Sequence, residues 1–372
     1  MRTAAVLLIS LLVLSACSEQ TQTAPETGDW QVGVVAEGLE HPWDLKVLPG
    51  GELLVTQRAG SLAIVDGSEV RDVQADLGDV YAQGEGGLMG VELSPGFEAD
   101  HTFYVCTATT HGDVQIIPFV LSDDLTSAER KPPLVTGISL NQSGRHSGCR
   151  LRMGSDDMLY AGVGDSAKGT NPQDLTVLSG KVLRVDPTTG QAPPGNPFVD
   201  SDNPATRLIY TYGHRNVQGI AVQPGTGAIY SAEHGPDVDD EVNLLKPGAN
   251  YGWNPVGSGT YDESVPMTDT SIDGAVKAVW SSGSSTIAAS GCDFLVGDAW
   301  GEHEGALAVA ALKGSALYLI EIPDDGGDAT ATKAAQLDGD YGRLRSVEAA
   351  GDGVIYVTTS NGGDDKILRV TA

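Results

Sequence analysis

His146 stands in the run Arg145-His146-Ser147-Gly148. An imidazole titrates near neutral pH, so a histidine entering a strand can serve as a general base toward a hydroxyl. Far along the chain stand Arg215-Asn216, Lys313, Arg343 and Arg345. Guanidinium groups grip carboxylates through paired N–H donors, and an ammonium adds a point charge. Together they suit an anionic ligand. Glu233-His234-Gly235-Pro236-Asp237, Asp239-Asp240-Glu241 and then Asn250-Tyr251-Gly252-Trp253 gather carboxylates and turn carbonyls. This composition suits a hard cation, Ca²⁺ above all, although the spacing is not that of an EF-hand and a solvated acidic loop reads the same way. Gly84-Glu85-Gly86-Gly87 lacks the strand-to-helix setting of a phosphate loop and is set aside. A single His or Arg is commonly structural. These residues form a site only if the fold gathers them.

A loose repeat could do so. Apolar alternating runs come in pairs about Pro/Gly/Asp turns: 44–48 with 53–56, 88–93 with 102–107, 150–153 with 158–163, 219–222 with 228–232, 293–296 with 306–311, and 346–349 with 354–359. Outer runs follow at 62–65, 114–119, 182–185, 317–322 and 367–370. Six units leave roughly 57 residues each, a period for radial repetition that protects sheet edges. The expected fold is all-β: a six-bladed β-propeller with four-stranded antiparallel blades over residues 30–372. A β-sandwich would explain neither the repeat count nor the long Gly-rich insertions.

In a propeller, residues before each innermost strand and after the second strand share one mouth. His41, Glu85, His146, Arg215 and Arg343 precede inner strands; Gln57-Arg58, Gly164-Asp165, His234-Gly235-Pro236 and Lys313 close returning strands. Arg343 and Arg345, two apart on a strand, are expected on one side. The result is a basic, His-containing rim on a chain of net charge −28, which implies an anionic ligand there.

The 372 residues hold 50 acids against 22 bases, which disfavours nucleic acid and an anionic membrane surface as partners. Forty-eight glycines favour turns and strands, and 40% hydrophobic residues suffice for a core. Residues 4–14 are almost wholly apolar after Arg2, too short to span a bilayer comfortably, and end in Leu14-Ser15-Ala16-Cys17. Residues 1–17 therefore read as a signal peptide with a lipobox, with an ordinary secretory signal as the alternative. Residues 18–29 read as a flexible tether. The protein is expected to be exported and held at the cell envelope, on the periplasmic or cell-surface side, only by a lipid on Cys17. Of the three remaining cysteines, Cys106 and Cys149 are the preferred disulfide pair, leaving Cys292 free and buried.

Several segments together resemble the glucose/sorbosone dehydrogenase family: Gly38-Leu39-Glu40-His41-Pro42-Trp43, Gly86-Gly87-Leu88-Met89-Gly90, His146-Ser147-Gly148, Gly213-His214-Arg215-Asn216-Val217-Gln218-Gly219, Glu233-His234-Gly235-Pro236, Asp240-Glu241-Val242-Asn243, Asn250-Tyr251-Gly252-Trp253, Ala311-Leu312-Lys313 and Gly342-Arg343-Leu344-Arg345-Ser346-Val347. They span residues 30–372 in order. The resemblance implies a six-bladed propeller and an aldose dehydrogenase using pyrroloquinoline quinone (PQQ), a planar tricarboxylate. It implies His146 as base and Arg215, Asn216, Lys313, Arg343 and Arg345 as PQQ-binding residues. Gly235 and Pro236 would give carbonyls to a Ca²⁺ bridging PQQ to protein, and Glu241 and Tyr251 would serve a second, structural Ca²⁺. The implied product is a lactone, with electrons passed to an external acceptor.

Two positions depart from the family. Glu85 replaces a glutamine at the PQQ-binding surface, and needs a proton or a partner such as Arg215 or Lys313. Arg145 precedes the base where an acidic residue or Asn is usual. A non-catalytic extracellular propeller binding sugar or protein is the alternative function. A Ca²⁺-dependent lactonase would need channel carboxylates where this chain offers cations. Sugar specificity is expected in the loops 191–207 and 257–277.

Overall fold

The computed structural model describes residues 30–256, 259–323, 328–351 and 353–372. The signal peptide, Cys17 and the tether lie outside the described residues.

Each expected pair of apolar runs is an antiparallel hairpin: Pro42–Val47 with Leu53–Gln57, Leu88–Leu93 with Thr102–Ala108, Cys149–Met153 with Leu159–Val163, Val217–Val222 with Ile229–Glu233, Ala289–Phe294 with Leu307–Ala311, and Leu344–Ala349 with Val354–Thr359. The second strands are buried along nearly their full length because sheets cover both their faces, so they read as continuous apolar runs. Further strands extend the hairpins into four four-stranded sheets and one of nine strands. In the nine-stranded sheet, Glu69–Ala75 and Ser127–Arg130 join two neighbouring sets by a short parallel pairing. Gln31–Leu39 supplies the outer strand of the last sheet by pairing with Asp365–Thr371.

The six inner strands pack in a closed order. Pro42–Val47 lies on Leu88–Leu93, then Cys149–Met153, Val217–Val222, Ala289–Phe294 and Leu344–Ala349 follow, and the last returns to the first. Around the axis they surround, charged side chains meet in ion pairs. Lys46 Nζ lies 2.8 Å from Glu348 and 3.1 Å from Glu92, and Arg152 reaches Asp293 and Glu348. Arg150 pairs with Asp44 and stacks 4.3 Å over Trp43.

Cys106 and Cys149 form a disulfide between adjacent hairpins, and Cys292 is free and buried, both as expected. Among the described residues no helix is long and apolar enough to cross a membrane.

One expectation fails for a local reason. A register shift between Leu344 and Ser346 leaves Arg345 as an extra residue, so alternation breaks there. Arg345 is buried, whereas Arg343 is exposed and donates from Nε to the Ser360 carbonyl at 3.2 Å. Similar shifts occur near the starts of Pro42–Val47, Leu88–Leu93, Val217–Val222 and Ala289–Phe294. Five of the six inner strands are thus irregular near their first residues.

Candidate functional site

The entry to Cys149–Met153 holds His146 in a left-handed backbone conformation, φ 51°, which few non-glycine residues adopt. Two glycines allow the close packing around it. A Cβ on Gly164 would come 2.1 Å from the His146 carbonyl, and one on Gly148 would come 2.6 Å from Asn216 Oδ1. His146 is only 3% exposed. Its Nδ1 lies 2.8 Å from Asp165 Oδ1. Asp165 closes the returning strand of the same hairpin and is fully buried. Its other oxygen accepts from Trp253 Nε1 and from the Tyr261 hydroxyl, each at 2.9 Å. The Tyr261 oxygen is also 3.2 Å from His146 Nδ1. Burial first, and the Asp165 charge second, push the Tyr261 phenol well up, so it remains a donor.

A carboxylate against Nδ1 fixes the imidazole as the Nδ1–H tautomer and leaves the Nε2 lone pair available. The His146 side chain lines a cavity of about 590 Å³, together with Glu85, Arg145, Arg215, Asn216, His234, Pro236, Asp237, Val238, Glu263 and Ser264. That is ample for a drug-sized ligand.

Arg215 and Asn216 are aimed by Glu233. This buried carboxylate accepts from both backbone N–H groups and lies 2.9 Å from His214 Nδ1. Arg215 then donates to the His234 carbonyl at 2.7 Å and stacks 5.7 Å over Trp253. Its Nε and the Asn216 Oδ1 are buried and have no hydrogen-bond partner among the described residues.

Glu85 is settled differently from expectation. Its partners are neither Arg215 nor Lys313. One oxygen accepts from the His146 backbone N–H at 3.1 Å, the other from Asn216 Nδ2 at 2.8 Å and Gln218 Nε2 at 3.3 Å. Gln218 in turn accepts from Arg345 Nη1 at 3.1 Å. Burial and then Arg150 push the Arg345 guanidinium down, Glu85 opposes this, and Arg343 and Arg58 push further down. Arg345 thus joins the site from beneath Glu85, near Arg58 and Arg343. Lys313 is exposed in the turn after Leu307–Ala311, and neither it nor Arg343 or Arg345 lines the cavity.

The rim is therefore mixed rather than basic. Arg145 and Arg215 both end on Glu263, Arg215 at 2.5 Å. Burial would raise the Glu263 carboxyl, but the hydrogen bonds and charges of Arg215 and Arg145 hold it below the usual range. Tyr261 and Glu263 come from the expected specificity loop 257–277, but in a stretch with no readable pattern. The other expected loop, 191–207, lines a separate cavity with Gly190 and Leu208. Asp165 was legible only as a rim position. Its pairing with His146 depends on a contact between two strand ends.

Among the described residues no cluster of three or more His, Cys, Asp or Glu side chains is arranged to hold a metal. The acidic stretch is neither a side-chain cage nor a freely solvated loop. Asp240 is fully buried and is consumed by the Gly235 N–H, Thr286 Oγ1 and the Ile287 N–H. Among the described residues, the carbonyls of Gly235 and Pro236 accept no hydrogen bond, and Pro236 borders the cavity. Neutral carbonyl donors of this kind suit a hard cation.

Glu241 and Tyr251 lie behind this wall. Burial, and then Glu233, push the Glu241 carboxyl up to about 8. Its neighbour Asn243 keeps a buried Oδ1 that has no partner among the described residues. Tyr251 stacks on His214 at 4.9 Å and donates its hydroxyl to the Leu244 carbonyl at 2.6 Å. A buried carboxylate beside an unused amide oxygen is an oxygen set that a cation would complete.

The family profile described as glucose/sorbosone dehydrogenase matches residues 39–369. The aldose sugar dehydrogenase YliI of Escherichia coli is 29% identical, with 97% of each chain covered. Quinoprotein glucose dehydrogenase B of Acinetobacter calcoaceticus is 28% identical over 69% of this chain and 60% of its own. The structure of the PQQ-bound aldose sugar dehydrogenase from Streptomyces coelicolor is similar at a TM-score of 0.77, with 33% identity over 94% of this chain and 99% of that one.

Proposed function

The chain belongs to the glucose/sorbosone dehydrogenase family, and on that footing we propose that it is a PQQ-dependent dehydrogenase that oxidises the anomeric hydroxyl of aldose sugars to lactones. The observation that carries this reading is the buried Asp165–His146 pair at a cavity lined by Arg215 and Pro236, where the adjacent carbonyls of Gly235 and Pro236 accept no hydrogen bond among the described residues. PQQ-bound relatives support the cofactor. The closed order of six inner strands supports a six-bladed propeller.

The donors present fit the proposed groups. Guanidinium and amide N–H groups of Arg215 and Asn216 suit the carboxylates of PQQ, with Arg343, Arg345 and Lys313 contributing positive charge from other blades. The carbonyls of Gly235 and Pro236 suit Ca²⁺, and Glu241 with Tyr251 suits a second ion. When bound, PQQ supplies the two-electron acceptor for the anomeric hydride, and Ca²⁺ supplies Lewis acidity.

The chain's own part is acid–base and positioning work. His146 takes the anomeric hydroxyl proton at Nε2, because Nδ1 is committed to Asp165. Asp165 stabilises the resulting imidazolium, and the donors from Trp253 and Tyr261 keep its second oxygen in place. Glu85, tied to Asn216 and Gln218, presents a carboxylate at the cavity wall able to accept from a sugar hydroxyl. Electrons leave to an external acceptor. Attachment to the cell envelope through a lipid on Cys17 completes the reading.

The test is reconstitution of the purified apoprotein with PQQ and Ca²⁺, followed by aldose-dependent dye reduction. Failure to bind PQQ, with no activity across a panel of sugars, would sink it in favour of a non-catalytic propeller.

A further inference from the structure

Arg145 and Arg215 approach the cavity from neighbouring hairpins and end on opposite oxygens of one carboxylate, Glu263. The partners differ in how firmly they are built in. The Arg215 side chain is 5% exposed, packed over Trp253 and fixed by the His234 carbonyl. The Glu263 side chain is 34% exposed and lines the cavity together with Ser264. Arg215 also keeps a buried Nε that has no partner among the described residues, so Glu263 does not complete its donor set.

Two guanidinium groups converging on one carboxylate is a carboxylate-recognition geometry. A partly exposed ion pair is weak, so exchanging its acid for another costs little. The segment carrying Glu263 also carries Tyr261, whose hydroxyl bonds Asp165 and lies 3.2 Å from His146 Nδ1. Anything that moves Glu263 away disturbs that contact too.

We propose that Arg145 and Arg215 form a carboxylate-receiving fork that Glu263 and a ligand carboxylate occupy in alternation, so that ligand entry displaces Glu263 and draws Tyr261 off the His146–Asp165 pair. The proposal rests on the dehydrogenase reading for the source of that carboxylate: PQQ itself, or an acidic sugar of the uronic acid class.

The experiment compares the wild type with Glu263→Gln, which keeps size and removes the competing charge. PQQ is titrated into the apoprotein without sugar, followed by absorbance, and D-glucuronate and D-glucose are titrated separately by calorimetry. Removal of an internal competitor is expected to tighten binding of the carboxylated ligand about tenfold and leave glucose unchanged. Tighter PQQ binding assigns the fork to the cofactor. Tighter glucuronate binding assigns it to an acidic substrate. If neither protein binds PQQ but Glu263→Gln binds glucuronate more tightly, the fork stands and the PQQ reading falls. Equal or weaker binding of both carboxylated ligands by Glu263→Gln overturns the fork. Amide exchange of peptides within 259–277 gives a second readout. Faster exchange in wild type on ligand binding supports displacement, and unchanged or slower exchange contradicts it.

Discussion

The central channel and the cavity at its mouth are both crowded with charge, yet they treat it in opposite ways. In the channel Lys46, Glu92, Arg152, Asp293 and Glu348 lie within ion-pair reach of one another on converging inner strands. At the mouth, Arg215 Nε and Asn216 Oδ1 are buried without partners, and the carbonyls of Gly235 and Pro236 are unused among the described residues. Burying a polar group without a partner costs stability. Both regions contain such atoms, Glu92 Oε2 and Arg150 Nη2 in the channel among them, but in the channel the same groups are neutralised by ion pairs with Lys46 and Asp44, whereas at the mouth a ligand can offset the cost. Charge set against charge holds the ring together; polar groups left over beside a cavity mark the site.

The largest expected effect breaks the channel side of this contrast. Arg152→Met strands Asp293 and leaves Glu348 with Lys46 alone, and should lower stability by about 3–5 kcal/mol, measured by chemical denaturation, while PQQ affinity is kept. On the mouth side, His146→Ala should cut sugar oxidation by about 10²–10⁴-fold while PQQ binding holds and stability falls by less than in Arg152→Met, because Trp253 and Tyr261 still donate to Asp165. Equal loss of stability from both variants would erase the distinction.

A third expectation concerns calcium and sits between the two regions. A carboxyl raised to about 8 in the folded protein contributes stability that is complete below its unfolded value, near 4.5, and is lost as pH rises through about 8. Calcium-free protein should therefore weaken across that window. Calcium at a hundred times its Kd should restore about 2.7 kcal/mol, most visibly above pH 8. Glu241→Gln should remove both the loss and the rescue, as read from melting temperature against pH with and without EDTA.

Tyr261→Phe sharpens the contrast within the mouth. Loss of one hydrogen bond worth about 1 kcal/mol should reduce kcat roughly fivefold and shift the alkaline or acid limb of its pH profile, with KM for the sugar little changed. The smallest effect concerns Glu263. Its depressed carboxyl contributes stability present above the ordinary value near 4.5 and lost as pH falls through the depressed one. Because the group is about a third exposed, the change should appear in amide exchange of 259–277 and hardly in global melting.

Much of the architecture was legible because it rests on local rules. Apolar runs about tight turns fixed the hairpins, and the repeat placed His146, Arg215, Asn216 and Pro236 toward one mouth. Cys106 and Cys149 were paired from neighbouring repeats, and the pair is present. What failed did so where alternation or pattern gave out. A bulge at Arg345 separated it from Arg343, and Lys313, outside the cavity lining, does not partner Glu85.

The amino-acid sequence by itself determined which runs become strands and which polar residues end them, because hydrophobic period and turn chemistry act over a few residues. Only the tertiary structure decided that Asp165 backs His146, that Gln218 links Glu85 to Arg345, and that Glu263 sits between two arginines. Those choices depend on side chains from separate strand ends and loops meeting at distances of about 3 Å, within which hydrogen bonds and ion pairs form, and no local pattern encodes such a meeting.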